Sequence, residues 1–245
     1  METKTPLGMN RTGVQMSPLD TAEMQASLNE FAPPLDAERG DLQIRQEYAD
    51  ASEGLGSVPL PGTLKGMVKS SVDMVTGKRP QVLIDKLGER LAFERGGVRL
   101  YDTLLVKCRA TPHLLASDEM QTLMLFRQQE IEHLALVTQA LRALGADPTA
   151  QTPGADLVGV ESLGLVQAIN DPRTSLVQSL GVILHAELID NACWSMLIEL
   201  ARAAGHDDIA KSFALALQQE AQHLVQVRSL VSRLTLADAS MVGPS

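Results

Sequence analysis

The chain has 245 residues, 44% of them hydrophobic, and a formal net charge of −9 at pH 7. This length suffices for one sizeable domain with appendages, and the negative charge argues against broad binding of nucleic acid through its phosphates. Aromatic residues make up only 3% of the chain. The core must therefore consist mainly of Leu, Val, Ala, Ile and Met, a composition that favours helices over sheets.

Signals for export and for membrane insertion are not evident in the sequence. The first twenty residues contain no apolar core of a signal peptide, and no uncharged apolar run approaches the length of a membrane span. The two cysteines, Cys108 and Cys193, are too few for a disulfide-stapled secreted fold. We therefore expect a cytoplasmic protein without a membrane span.

Residues 1–80 differ from the rest of the chain, because they hold prolines 6, 18, 33, 34, 59 and 61 among scattered Gly and Ser. We expect a partly ordered N-terminal arm with short helices over residues 20–31 and 64–75. Proline restricts the backbone around it, so SVPLPG between these helices should be extended. The segment from residue 64 to 79 is amphipathic and locally basic. It is expected either to pack against the protein itself or to contact a membrane surface or partner.

Four long helices are predicted after this arm, because apolar residues recur there at spacings of three and four. They cover residues 81–108, 117–144, 171–204 and 207–236. The third should begin at Asp171–Pro172, where Asp caps and Pro occupies the first turn. The link between the second and third helices is far longer than a turn requires. The sequence therefore predicts an all-α four-helix bundle with one long crossover connection and a frayed tail of residues 237–245.

One motif occurs twice: QQEIEHLALV from Gln128 and QQEAQHLVQV from Gln218. Within each copy the Glu and the His are three residues apart, so both side chains project from one face of a helix. Apolar neighbours occupy the same faces, near the middle of each predicted helix. A carboxylate and an imidazole in such a core are costly unless they are neutralised, paired or bound to metal.

The other two long helices supply matching carboxylates. When Glu94 of LAFERGGVRLY is aligned with Glu187 of LHAELIDNACW, Tyr101 falls on Trp194. Each half of the chain then reads as a Glu, a hairpin and a Glu-x-x-His. A Glu from each of two helices and a Glu-x-x-His from each of the others is a known arrangement for dimetal sites in bundles. These ligand types suit Fe²⁺, Mn²⁺ or Zn²⁺.

In this pattern the sequence resembles the ferritin-like superfamily of dimetal-carboxylate proteins, which includes bacterioferritin, rubrerythrin and manganese catalase. The resemblance extends over about residues 81–236 and leaves out the N-terminal arm. It implies two divalent metal ions, with iron preferred and manganese as the other choice. The implied ligands are Glu94, Glu130, His133, Glu187, Glu220 and His223.

Three further residues are candidates for the site. Asp190 lies where rubrerythrin-like proteins place an additional carboxylate, and its counterpart in the first half is Gly97. It is either a seventh ligand or a partner that orients a ligand. Tyr101 and Trp194 are either core aromatics or redox aromatics near the metals. The CxxC module of classical rubrerythrins is missing, so an external reductant would be needed.

The resemblance implies an oxidoreductase that reacts with O2 or H2O2, as an oxidase, a peroxidase or a ferroxidase, in a homo-oligomer. Two alternatives stay open. One is an iron storage or carrier protein, which requires a shell-forming oligomer that the long arm disfavours. The other is a non-catalytic interaction bundle, in which metal only stabilises the fold.

Overall fold

The structure is a computed structural model, which describes residues 17–31, 36–60 and 79–240. Over these ranges the chain is helical and contains no strand, which confirms the predicted all-α class. Its helices are α1 Pro18–Phe31, α2 Asp36–Ala51, α3 Pro80–Ala110, α4 Ser117–Ala143, α5 Pro153–Glu161, α6 Leu163–Asn170, α7 Leu176–Ala203 and α8 Asp207–Ser240. Within the described ranges we find no helical segment whose length and hydropathy would suit a membrane span.

The chain divides after Gly54 into two compact units. The described residues before this point form α1 and α2, and their large apolar side chains, including Leu28, Phe31 and Tyr48, are exposed. The helix predicted over residues 20–31 is present as α1. The second helix predicted in the arm, over residues 64–75, lies outside the described residues.

The second unit is built on the four long helices α3, α4, α7 and α8. Helix α3 packs against α4 and α7, and α8 packs against α7 and α4. Their buried apolar residues form two separate clusters. The first cluster includes Leu100, Leu104, Phe126, Leu180, Ile183, Val227 and Leu230. The second includes Leu83, Leu87, Val137, Leu141, Trp194, Leu197 and Phe213.

The order of these clusters along each helix defines the topology. Helices α3 and α8 run from the second cluster to the first, whereas α4 and α7 run from the first to the second. Therefore α4 ends beside the second cluster, and α7 begins beside the first. The chain between them crosses from one cluster to the other and forms α5 and α6 on the way. Val158 and Ile169 of these short helices belong to the first cluster.

The chain segment between α4 and α7 is hydrogen-bonded to α3 near both ends of that helix. The Asp85 carboxylate accepts a hydrogen bond of 2.8 Å from the backbone N–H of Gly154, at the start of α5. Near the other end, Lys107 donates from Nζ to the carbonyl oxygens of Asp171 and Thr174, at 2.9 and 2.7 Å. These bonds satisfy backbone groups that would otherwise lose their partners at helix ends and turns.

The predicted start of the third long helix at Asp171–Pro172 is wrong. Helix α7 begins at Leu176, because Ser175 and Gln178 form a reciprocal capping box. The Ser175 hydroxyl accepts from the Gln178 N–H, and the Gln178 side chain accepts from the Ser175 N–H. Asp171 lies in the preceding turn and pairs with Arg173.

Candidate metal centre

Between the two apolar clusters lies a layer of buried polar side chains. All six predicted ligands are at most 2% exposed: Glu94, Glu130, His133, Glu187, Glu220 and His223. They come from the four long helices, one Glu from α3, one from α7, and a Glu-x-x-His from α4 and from α8. Four carboxylates removed from water require positive charge close to them, in the form of protons, cationic side chains or metal ions.

A first group of ligand atoms surrounds His223. One ligand atom from each of Glu130, Glu187, Glu220 and His223 lies within 4.8 Å of the others. The Nδ1 atom of His223 is 3.5 Å from Glu130 Oε1, 3.6 Å from Glu187 Oε2 and 3.3 Å from Glu220 Oε2. Three carboxylate oxygens and one imidazole nitrogen therefore face a common centre that can hold a cation.

A second group surrounds His133 and consists of Glu94, His133 and Glu220. The Nδ1 atom of His133 is 2.6 Å from Glu220 Oε1 and 3.9 Å from Glu94 Oε2. Glu220 thus turns one oxygen to each group. Glu130 joins His223 of the other motif. The two halves of the repeat are consequently interleaved, and the buried cluster can hold metal ions.

The hydrogen bonding of these atoms agrees with a metal-binding role. Within the described part of the chain, Nδ1 of both histidines and at least one oxygen of each of the four glutamates are buried without a well-aligned hydrogen bond, although Nδ1 of His133 lies only 2.6 Å from Glu220 Oε1. Buried polar atoms normally have partners, so their shared lack of one needs an explanation. Carboxylate oxygen with one imidazole for each position is a donor set that Fe²⁺ and Mn²⁺ accept. The residues present therefore fit divalent metal ions of this kind.

Two glutamines hold the histidines from behind. The Nε2 atom of His133 is 2.9 Å from Gln219 Oε1, and Nε2 of His223 is 2.8 Å from Gln129 Oε1. A glutamine oxygen only accepts hydrogen bonds, so each Nε2 carries a proton, and Nδ1, which faces the ligand group, is the atom that could bind a metal. The sequence analysis missed both residues, although each belongs to the repeated QQE.

The two candidate aromatics have different surroundings. The Tyr101 hydroxyl donates to Oε1 of Glu187, and its ring lies edge-on to His223 at 6.3 Å between centroids. Trp194 packs edge-on against His133 at 5.6 Å and against Phe213 at 5.0 Å. Tyr101 therefore contacts a predicted ligand through its polar atom, and Trp194 contacts one only through its ring. A redox role for either stays a prediction.

Asp190 lies outside both groups of converging ligand atoms. Its Oδ1 is 2.5 Å from an amino nitrogen of Arg90, a buried residue of α3 that the sequence analysis did not identify. The Nε atom of Arg90 is also 3.3 Å from Glu94 Oε1. The signal for Arg90 was its position, because it precedes Glu94 by four residues and so shares its helix face.

Gly97, the counterpart of Asp190 in the first half, makes room for a ligand. A Cβ atom at this position would overlap the Oε2 atom of Glu130, whereas a Cβ at the neighbouring Gly96 would meet nothing within 4 Å. A side chain at position 97 would therefore require Glu130 to shift. Glu130 occupies the space that a side chain on Gly97 would fill.

The pKa values of several residues in the cluster are strongly shifted. Burial raises the pKa of Glu187 to about 8, and it raises the pKa of Glu94 well above its usual range. Burial alone would lower the pKa of His223, but the nearby carboxylates of Glu130, Glu187 and Glu220 outweigh this effect and raise that pKa to about 12. In the metal-free protein, protons therefore compensate part of the carboxylate charge, and a bound cation must displace them.

Comparison of the chain with protein-family models, with curated proteins and with solved structures finds no match in any of the three. The geometry itself shows a helical protein with a buried cluster of Glu and His that can bind metal.

Proposed function

We propose that the four long helices form a ferritin-like four-helix bundle with a crossover, and that its centre holds two divalent metal ions. Iron is preferred and manganese is the alternative. We further propose that the loaded protein is an oxidoreductase that reacts with O2 or H2O2. The observation that carries this proposal is the convergence of six buried ligand-type side chains into two groups that share Glu220.

The charges of the cluster support two divalent ions. Its four glutamates, when ionised, balance the charge of two such ions, and Arg90 compensates the remaining carboxylate of Asp190. The donor set favours iron or manganese over structural zinc, because structural zinc sites are usually closed tetrahedra rich in Cys and His. Both cysteines are free, and neither belongs to the two ligand groups.

A bound iron or manganese pair would supply the capacity to exchange two electrons with O2 or H2O2. The chain supplies the surroundings for this chemistry. Glu220, which turns one oxygen towards each ligand group, would help to hold both ions, while Gln129 and Gln219 fix the ring orientation of the histidines. Tyr101 holds a proton directed at Glu187. The apolar clusters on both sides keep bulk water away and strengthen the electrostatic interactions inside.

The test is oxidant consumption by the iron-loaded protein. Metal-free full-length protein receives two equivalents of Fe²⁺ without oxygen and is then mixed with O2 or H2O2, and the loss of oxidant and the ferric absorbance are followed. We expect consumption faster than with Fe²⁺ in buffer, and its loss in His133→Ala and His223→Ala. Glu132→Gln, an exposed change on α4, is the matched control. Consumption no faster than in buffer would contradict the proposed activity.

The non-catalytic interaction bundle is the second candidate, and the exposed apolar side chains of α1 and α2 favour it. In that case zinc should stabilise the protein against heat as well as iron does, and no oxidant should be consumed.

Light scattering addresses the storage alternative, because a storage cage requires a particle of many subunits. We expect a small homo-oligomer instead.

A further inference from the structure

Glu94 and Glu187 occupy equivalent places in the repeat, yet they contact different side chains. Each turns one oxygen into a ligand group: Glu94 Oε2 towards His133 at 3.9 Å, and Glu187 Oε2 towards His223 at 3.6 Å. The other oxygen of each glutamate points away from the ligand group. For Glu187 it accepts a hydrogen bond from the neutral phenol of Tyr101. For Glu94 it lies 3.3 Å from Nε of the Arg90 guanidinium.

Arg90 is fixed in its place by three neighbours. It is 2% exposed, its guanidinium contacts Asp190 at 2.5 Å and Glu94 at 3.3 Å, and it lies 4.3 Å from the centre of the Phe93 ring. An arginine so buried keeps its charge, because its ordinary pKa exceeds 12. This positive charge is directed at one of the two proposed metal positions.

The two positions also differ in their number of ligands. The group around His223 contains four residues, and the group around His133 contains three. Asp190 is the additional carboxylate that the sequence pattern offers, but its Oδ1 is engaged by Arg90. The position with fewer ligands is thus also the one beside a fixed cation.

We propose that Arg90 is a positioning residue that restricts Glu94 to one metal-directed oxygen and keeps Asp190 from binding metal. The Glu94–His133–Glu220 position is then the weaker and more exchangeable of the two, and the Glu130–Glu187–Glu220–His223 position fills first. This inference rests on the proposed function only in requiring that the chain binds two divalent cations.

The experiment is a titration of metal-free, full-length protein with Mn²⁺, whose free form is measured by electron paramagnetic resonance. In the wild type we expect two binding steps separated by about tenfold or more, the scale on which contacts behind the ligands change metal affinity. Glu94→Gln should abolish the weak step and keep the tight one. The tight step should stay within about twofold in the Arg90 and Asp190 variants, which makes it an internal control for folding.

Variants of Arg90 and Asp190 should move the weak step in opposite directions. Arg90→Gln frees both Glu94 and Asp190, so the weak step should tighten by about tenfold. Asp190→Asn leaves the guanidinium to Glu94 alone, so the weak step should weaken. Arg90→Lys retains the charge and should stay near the wild type. The exposed Arg95→Gln is the matched control.

Opposite shifts cannot arise from general damage to the fold, which would weaken binding in both variants. Two binding steps of equal affinity in the wild type, or affinity shifts of the same sign in Arg90→Gln and Asp190→Asn, would overturn the role of Arg90. They would not contradict the proposed metal centre. Wild-type protein that binds no metal would overturn the proposed function as well. If Arg90→Gln does not fold, Asp190→Asn decides the question: a weaker second step beside an unchanged tight step supports the role of Arg90, and an unchanged or tighter second step overturns it.

Discussion

Gln219 of α8 lies behind His133 of α4, with 2.9 Å between its Oε1 and the Nε2 atom of the imidazole. Gln129 of α4 makes the same contact with His223 of α8, at 2.8 Å. Each copy of the repeated motif therefore orients the histidine of the other copy. This reciprocity explains why the glutamine directly before the glutamate occurs in both copies.

Replacing these glutamines should weaken metal binding without removing a ligand. In Gln129→Leu and Gln219→Leu, no hydrogen bond fixes the tautomer and the ring orientation of the facing histidine. We therefore expect metal affinity to fall about 10- to 100-fold. The matched controls are Gln128→Leu and Gln218→Leu, because these neighbours are exposed. Titration with Mn²⁺ measures the change. Equal affinity in all four variants would show that the glutamines do not act through the histidines.

The two adjacent glycines of α3 offer a steric test of the Glu130 position. Gly97→Ala places a methyl group where Glu130 Oε2 lies, so Glu130 must move and the His223 position should lose most of its metal. Gly96→Ala meets nothing within 4 Å and should only raise helix stability, by about 1 kcal/mol. Metal content and urea unfolding distinguish the two results. Full metal content in Gly97→Ala would contradict the placement of Glu130.

The metal-free protein should lose stability as the pH rises from about 6.5, the ordinary pKa of histidine, to about 8, the raised pKa of Glu187. Burial raises the pKa of Glu187 to about 8, and its carboxylate neighbours raise that of His223 to about 12 despite burial. A group whose pKa is raised by folding stabilises the fold at pH values below its pKa in the unfolded chain. This contribution is lost as the pH climbs to its pKa in the folded protein. Each retained proton contributes a slope on the order of 1 kcal/mol per pH unit.

Metal affinity should change in the opposite direction over the same range, because a cation must displace those protons. Glu220, whose pKa the two histidines hold below its usual range against the effect of burial, affects stability only at acid pH. Urea unfolding of metal-free protein and Mn²⁺ titration at matched pH values test both trends. Metal-free stability that rises between pH 6.5 and 8 would contradict this distribution of protons.

The two aromatics should respond differently to substitution by Phe. Tyr101→Phe removes the donor to Glu187 and leaves a buried carboxylate oxygen without it, which should cost about 1–3 kcal/mol in the metal-free protein and alter binding at the His223 position. Trp194→Phe should lower stability by about 1–3 kcal/mol through poorer packing, with metal affinity retained. An unchanged Tyr101→Phe variant would show that the contact with Glu187 is unimportant.

The repeated Glu-x-x-His and its partner glutamates could be predicted because helical periodicity determines which residues share a face. The structure brings all six together in one buried layer. The exchange of partners, by which Glu130 joins His223 and Glu220 joins His133, depends on side-chain directions across the helices. Spacing along the chain does not determine those directions.

Other features depended on signals that were present but weaker. The start of α7 was misplaced because Asp-Pro resembles a helix start, although Ser175 and Gln178 form the stronger capping box. Arg90 was missed because its partner Asp190 is distant in sequence, and only the packing of α3 against α7 brings the two together. A buried arginine cannot be distinguished from a surface one by type alone.

The most direct test of the central claim is element-resolved metal content, measured on full-length protein purified without chelators and on the His133→Ala/His223→Ala double variant. We predict close to two iron or manganese ions per chain in the wild type, and their loss in a double variant that retains its helix content. Wild-type protein without metal, or metal that survives both substitutions, would contradict the claim that this buried cluster is a dinuclear metal centre.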